Sequence, residues 1–111
     1  MISSQMLKGV LEGCILKIIS SKQTYGYEIS EELKKYGFSK ISEGTIYPIL
    51  LRLEKNNCII AEYRESPNGP KRKYFSITPI GIKELKGFLL SWQELYSAIN
   101  MLFEIEGKEN E

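Results

Sequence analysis

The stretch Ser42-Glu43-Gly44-Thr45-Ile46-Tyr47-Pro48-Ile49-Leu50-Leu51-Arg52-Leu53-Glu54, with Asn68-Gly69-Pro70-Lys71-Arg72-Lys73-Tyr74 downstream of it, decides how this chain folds. Ser42 has the hydroxyl of a natural N-cap, and Ile46, Ile49, Leu50 and Leu53 then recur at the i, i+3, i+4, i+7 spacing of one buried helical face. The opposite face carries Thr45, Tyr47, Pro48 and Arg52. Counted from Ser42, Pro48 lies past the first turn, where its missing N–H and its ring cost up to about 3 kcal/mol or bend the axis. Either the helix tolerates this because the site is functional, or it starts nearer Gly44 and leaves Pro48 in a first turn. Beyond it, Ile59 to Glu65 alternates apolar and polar residues, Ser66-Pro67-Asn68-Gly69-Pro70 reads as a turn with Asn68-Gly69 at its tip, and Arg72 to Ile77 resumes extended character. A two-stranded ribbon is not stable alone, so it must lie against helices.

Upstream, Leu7, Val10, Leu11, Cys14, Ile15, Ile18 and Ile19 fall at helical spacing and predict one helix from about Ser4 to Ser20. Thr24 is placed to cap a second, short helix whose buried side is Ile29, Leu33 and Tyr36 and which Gly37 ends. Downstream, Thr78 caps a last helix with Pro79 at its first position, running to about Phe103. At 1.5 Å per residue that helix is roughly 37 Å long, too long for the small body before it to cover. Leu85, Trp92 and Ile99 recur every seven residues along it, followed by Phe88, Leu95 and Leu102 three positions on and by Leu89, Tyr96 and Phe103 four on. Burying that stripe calls for another helix, most economically from a second copy of the chain, with packing back onto its own body as the alternative.

The expected architecture is mainly α with a two-stranded β-wing: a winged helix-turn-helix over residues 1–78, a C-terminal dimerisation helix over 79–104, and an acidic tail over 105–111 expected to stay disordered. The 111 residues, 42% hydrophobic and 26% charged, suit one soluble domain. A net charge of +1 hides an uneven distribution: Arg64, Lys71, Arg72 and Lys73 face only Glu65 between positions 64 and 73, whereas positions 104–111 hold four Glu against Lys108. Cys14 and Cys58 sit among aliphatic residues and read as buried free thiols in a reduced, cytoplasmic protein, with a disulfide or redox switch as the alternative and no targeting or membrane-spanning segment. The chain has no His and no Asp. That removes Ser-His-Asp and Cys-His catalysis and most metal sites, so neither an enzyme nor a cofactor or metal is expected.

A helix presenting small polar and aromatic side chains beside a ribbon of adjacent positive charges can fill a major groove while gripping the flanking phosphates. Ser42, Gly44 and Thr45 lie at a helix N-terminus suited to a phosphate, and Thr45 and Tyr47 are placed to meet base edges or a thymine methyl. Tyr47 reads alternatively as a packed aromatic. Arg52, nearly two turns on, reaches phosphate or pairs with a neighbouring Glu. Lys40 and Tyr27 are candidate backbone contacts. In the wing, Asn68 and Gly69 form the tip, and Lys71, Arg72 and Lys73 supply charge, with Lys71 and Lys73 expected on one face and Arg72 on the other.

The order of elements, together with Tyr25-Gly26-Tyr27-Glu28-Ile29, Gly44-Thr45-Ile46-Tyr47-Pro48, Leu51-Arg52-Leu53-Glu54, Gly69-Pro70-Lys71-Arg72-Lys73-Tyr74-Phe75 and Ile77-Thr78-Pro79-Ile80-Gly81, resembles the PadR family of bacterial winged-helix regulators, in particular its short, multidrug-responsive members. The resemblance covers nearly the whole chain. It implies a homodimeric repressor of an inverted-repeat DNA operator, with the first and last helices building a dimer interface of Leu85, Trp92, Leu95, Ile99 and Leu102. Family members often carry His where this chain has Tyr25; phosphate hydrogen bonding survives that change and a pH-dependent contact does not. Tyr25 also reads as a hydrophobic staple of its own helix. Some members are thought to hold planar drugs between paired tryptophans, and Ser91-Trp92 falls at the corresponding place. The implied pocket is Trp92, Phe88, Leu89 and Tyr96 with Leu7, Val10, Leu11 and Cys14 of the other subunit; plain core packing of Trp92 is the alternative. Competing functions are a winged-helix protein-interaction module and a non-specific architectural DNA binder without a ligand.

Overall fold

The computed structural model describes residues 2–104; the expected acidic tail at 105–111 lies outside the described residues. The elements are α1 (Ser4–Leu7), α2 (Leu11–Ser21), α3 (Gly26–Lys35), α4 (Glu43–Lys55), β1 (Ile59–Ser66), β2 (Gly69–Ile77) and α5 (Pro79–Leu102). The chain is thus mostly helical with one antiparallel hairpin and a long last helix, as expected. Ile15, Leu16 and Ile19 of α2, Ile29 and Leu33 of α3, Ile46, Leu50 and Leu53 of α4, and Ile59 and Phe75 of the hairpin close a single core. No helix among the described residues is long and apolar enough to cross a membrane.

The expected first helix is broken in two. Residues 8–10 form a turn in which the Val10 amide bonds to the Leu7 carbonyl, and α2 restarts at Leu11. Gly9 sits in this break, and glycine is about 0.5–1 kcal/mol worse than alanine inside a helix. The break still buries both Leu7 and Leu11.

Tyr25, not Thr24, occupies the N-cap of α3. Thr24 is held in extended geometry by reciprocal backbone bonds to Phe75 of 3.2 and 2.7 Å, and its hydroxyl donates to Glu28 Oε1 at 2.6 Å. This bridge ties the start of α3 to the wing. At the other end Gly37, at φ 101°, closes α3. Its amide donates to Lys34 O and that of Phe38 to Leu33 O, the paired bonds of a Schellman motif. The reversal turns Tyr36 outward and puts the half-buried Phe38 against the core in its place.

The helix α4 starts at Glu43 with Ser42 as N-cap, so Pro48 stands in its second turn and the later start near Gly44 is not adopted. Asn57, at φ 63°, ends the excursion after α4, with its amide and that of Cys58 returning to Glu54 O and Leu53 O. The ribbon pairs Ile59 with Ile77 through Arg64 with Arg72, then slips by one residue to pair Ser66 with Gly69. The tip is therefore Pro67-Asn68, and Gly69 belongs to the strand. The slip falls across Pro70-Lys71 and interrupts strict alternation of faces before it reaches Lys71.

Thr78 caps α5 as expected, accepting from the Gly81 amide at 3.0 Å while its hydroxyl donates to Asn57 O at 2.6 Å. Two glycines permit close approach. A Cβ on Gly81 would collide with the Cys58 carbonyl, and one on Gly13 with the Phe88 ring. Past Phe88 the helix leaves the body, and its side chains are exposed from Leu89 through Ile99.

Candidate nucleic-acid interface

Three elements converge on one cleft: the N-terminus of α3, α4 through Tyr47, and the wing. The cleft, of about 570 Å³, is lined by Tyr25, Gly26, Tyr47, Tyr63, residues 66–73 and Phe75. The outer face of α4 is set by its inner one. Burial of Ile46, Ile49, Leu50 and Leu53 leaves Gly44, Thr45, Pro48, Leu51, Arg52 and Lys55 pointing away from the core. The Ser42 hydroxyl makes no capping bond and stays exposed at the helix start.

Tyr47 turns toward α3, where its ring lies 3.5 Å from the position a Cβ on Gly26 would take. It thus forms a wall of the cleft beside the outward row of α4. Tyr27 on α3 and Lys40 in the turn before α4 are exposed, and neither lines the cleft.

The cations separate into free and engaged. Arg72 lies over the Tyr25 ring at 4.5 Å; Arg64, directly opposite it across the ribbon, lies over Tyr74 at 4.7 Å; and the two rings meet at 5.1 Å. Interleaving aromatic faces lets two arginines stand opposite each other without direct repulsion. Arg64 also hydrogen-bonds Gln23, which donates to Ser76 Oγ at 3.0 Å. The Arg72 guanidinium is pushed further into its charged form, first by its hydrogen bond to Tyr74. Lys71 has, among the described residues, only an exposed partner, Glu65, at 3.8 Å. By contrast, Lys73 is drawn to Glu54 of α4 at 3.0 Å, and Arg52 to Glu12 of α2 at 3.3 Å. Both are therefore engaged within the chain. Asn68 and Gly69 are exposed at the ribbon's end.

Two basic residues of the interface carry no assignment from sequence. Lys55 continues the outward row of Gly44, Pro48 and Leu51 at helical spacing, a signal that the same count contains. Arg64 belongs to the ribbon's charge, and pairing the strands about the turn is what puts it opposite Arg72.

The residues named for a ligand pocket are only partly together. Trp92 and Tyr96 meet at 6.0 Å and are exposed, as is Leu89, while Phe88 is half-buried over Gly13. Leu7 and Leu11 are in the chain's own core, so Val10 and Cys14, both half-buried, are the outward members of that helix. Of the named dimer residues, Leu85 packs on the core, whereas Trp92, Leu95, Ile99 and Leu102 range from 41% to 79% exposed. Burial pushes the thiols of Cys14 and Cys58 above their ordinary value, with Glu84 and Glu12 adding to the effect at Cys58.

A helix-turn-helix of α3 and α4, flanked by a basic hairpin and presenting a polar outer row, defines a winged-helix protein of the DNA-binding class. The comparisons narrow this to a family. Residues 15–87, more than half of the chain, match the transcriptional regulator PadR-like family, and the chain belongs to it. A solved structure of a PadR-like transcriptional regulator from Bacillus cereus is 52% identical, with a TM-score of 0.80 over 90% of this chain and 97% of that one. A Streptococcus transcriptional regulator is 45% identical, with a TM-score of 0.78 over 90% and 98% of the two chains. An uncharacterized protein of Lysinibacillus sphaericus is 37% identical over 94% of this chain and 97% of its own. Regulation of transcription through DNA, without enzymatic activity, is the function the family carries.

Proposed function

We propose that the protein is a homodimeric repressor that places the α4 helices of two subunits in successive major grooves of an inverted-repeat operator, and that a planar aromatic ligand at the dimer interface releases it. The observation that carries the reading is the apolar stripe of α5. Trp92, Leu95, Tyr96, Ile99, Leu102 and Phe103 continue the face that Gly81, Leu85 and Phe88 press against the body, and all six are exposed. A contiguous exposed apolar patch larger than the ~300–600 Å² found on typical monomers marks an interface. Self-pairing of this stripe is isologous and relates two α4 helices by a two-fold axis, a symmetry that a palindromic site matches. The exposed Trp92–Tyr96 pair supports the ligand step, because its two-fold repetition creates flat aromatic walls at the dimer centre.

Sedimentation at micromolar concentration tests the dimer, and Ile99→Glu is expected to give single subunits that lose operator affinity. Selection of bound DNA from a random pool is expected to enrich a two-fold repeat. A purely monomeric wild type, or enrichment of no sequence, refutes the reading. Quenching of Trp92 fluorescence by planar cations, with parallel loss of DNA binding, is the outcome expected for ligand release; quenching without loss of DNA binding contradicts it.

A further inference from the structure

We infer that Leu51, together with Pro48, is a specificity-determining residue that reads the C5-methyl group of thymine in the major groove. The inference rests on the reading of α4 as the groove-entering helix, and it assigns a role to side chains on that helix with no structural duty. The other large aliphatic residues of α4, Ile46, Ile49, Leu50 and Leu53, are buried, whereas Leu51 is 61% exposed. It stands one turn beyond Pro48, on the outward row of Gly44, Pro48 and Lys55, and no described element covers it.

An isolated exposed leucine needs no explanation. Here, however, Pro48 occupies the adjacent turn, where it removes the bond that an amide at position 48 would give to the Gly44 carbonyl. The row thus carries a contiguous apolar surface, and this surface lies at the middle of the face that must enter the groove, between Thr45 on one side and Lys55 on the other. Of the groups a base pair displays in the major groove, only the thymine methyl is apolar. Arg52, the polar neighbour, is held by Glu12 at 3.3 Å and is turned toward α2, which leaves the aliphatic pair as the reader at this level.

The geometry also gives a position. Leu51 lies six residues beyond Thr45, about 9 Å along the axis at 1.5 Å per residue, which corresponds to roughly two to three base-pair rises of 3.4 Å. The methyl it reads should therefore fall about that far from the base pair that depends on Thr45.

The test uses the DNA site selected by the wild-type protein, resynthesised with uracil replacing thymine at one position at a time. Uracil keeps every hydrogen-bonding group and deletes only the methyl. At one position per half-site the wild type is expected to bind about fourfold more weakly, the equivalent of ~0.8 kcal/mol for one buried carbon, and about sixteenfold more weakly when both half-sites are altered. Leu51→Ala should bind the thymine and uracil duplexes equally, whereas Leu51→Met, which keeps the apolar reach, should retain discrimination. Thr45→Ala should change preference at a different position and leave this uracil effect intact. Equal binding of all uracil duplexes by the wild type overturns the inference while sparing the DNA-binding reading, and so does undiminished discrimination by Leu51→Ala. A pool that yields no preferred sequence removes both.

Discussion

Removing the Lys73 ammonium tests whether that residue is a strut or a phosphate contact. Its Nζ lies 3.0 Å from Glu54 Oε1, and the two side chains are only 28% and 34% exposed. Partial exposure screens the pair, so its net worth is about 0.5–1 kcal/mol, well below the Coulomb energy of two charges at that distance. The pair nevertheless joins the wing to the recognition helix. We expect Lys73→Met to lower stability by about that amount and to weaken DNA binding several-fold at every salt concentration, because each wing loses its fixed angle. The slope of log K against log salt should stay unchanged, since the number of phosphates neutralised, and so of counterions released, is the same. Lys71→Met should behave differently: its only partner among the described residues is exposed Glu65 at 3.8 Å, and each phosphate the protein ceases to neutralise flattens the slope by about 0.9, or about 1.8 for two wings. Fluorescence anisotropy titrations between about 50 and 200 mM salt separate the two behaviours. Glu54→Gln should reproduce the stability loss of Lys73→Met, and the double variant should add little. If Lys73→Met flattens the slope as Lys71→Met does, the ammonium leaves Glu54 for phosphate and the strut does not exist.

Pro48→Ala restores the amide that pairs with Gly44 and should raise stability by about 1–3 kcal/mol, or roughly 4 °C of melting temperature per kcal/mol, while weakening operator binding; an unchanged or lower melting temperature contradicts the strain argued for the second turn. Gly81→Ala drives a Cβ into the Cys58 carbonyl, where backbone cannot yield cheaply, and should lower stability by about 2–3 kcal/mol in chemical denaturation; Gly87→Ala, which meets nothing within 4 Å, serves as the control and should be neutral or slightly stabilising. Cys58 should resist thiol reagents at neutral pH until the chain is denatured, because burial and the nearby Glu84 and Glu12 hold its pKa above the ordinary 9.0. Its contribution to stability is complete below pH 9.0 and is lost as pH rises through the elevated folded value, so unfolding measured from pH 8 upward should become easier beyond about 9.

The sequence spoke clearly wherever a local signal and the core agreed. The apolar spacing of Ile46, Ile49, Leu50 and Leu53 placed α4, Thr78-Pro79 placed the start of α5, and Gly37 placed the end of α3. It misled where a long-range contact overrode a local preference. Thr24 is a better N-cap than Tyr25 by residue type, but its backbone is committed to Phe75, about fifty positions away in the chain. Asn68-Gly69 is a strong two-residue turn signal, yet the Ser66–Gly69 pairing moves the tip back to Pro67-Asn68. The first helix failed for the opposite reason: its apolar spacing was continuous, and the backbone break at Gly9 and Val10 leaves that spacing intact on both sides. In the candidate interface, the identities of the cations were legible and their engagements were not. Nothing in the order Lys71-Arg72-Lys73 shows that the last of them is held by Glu54.

Those engagements bear on how a ligand on α5 would reach DNA. The first turn of α5 is built directly on the residues that follow the recognition helix: Thr78 donates to Asn57 O at 2.6 Å and takes the Cys58 carbonyl at its own amide at 3.0 Å, and Gly81 lies against that same carbonyl. A second fastening comes seven residues later, where Phe88 covers Gly13 of α2. These two fixed points set α5 against the residues that follow α4 and against α2. Two recognition helices must meet grooves about 34 Å apart. A tilt of roughly 10° between paired α5 helices carries a recognition helix ~25 Å from the pivot by about 4 Å, more than one base-pair rise, with no hinge needed inside the subunit. If a ligand releases the protein as proposed, glycine at 81 would matter for signal transmission as well as for packing. A looser junction there would let α5 move while α4 stayed in place, and a ligand wedged beside Trp92 would then bind without changing the affinity for DNA.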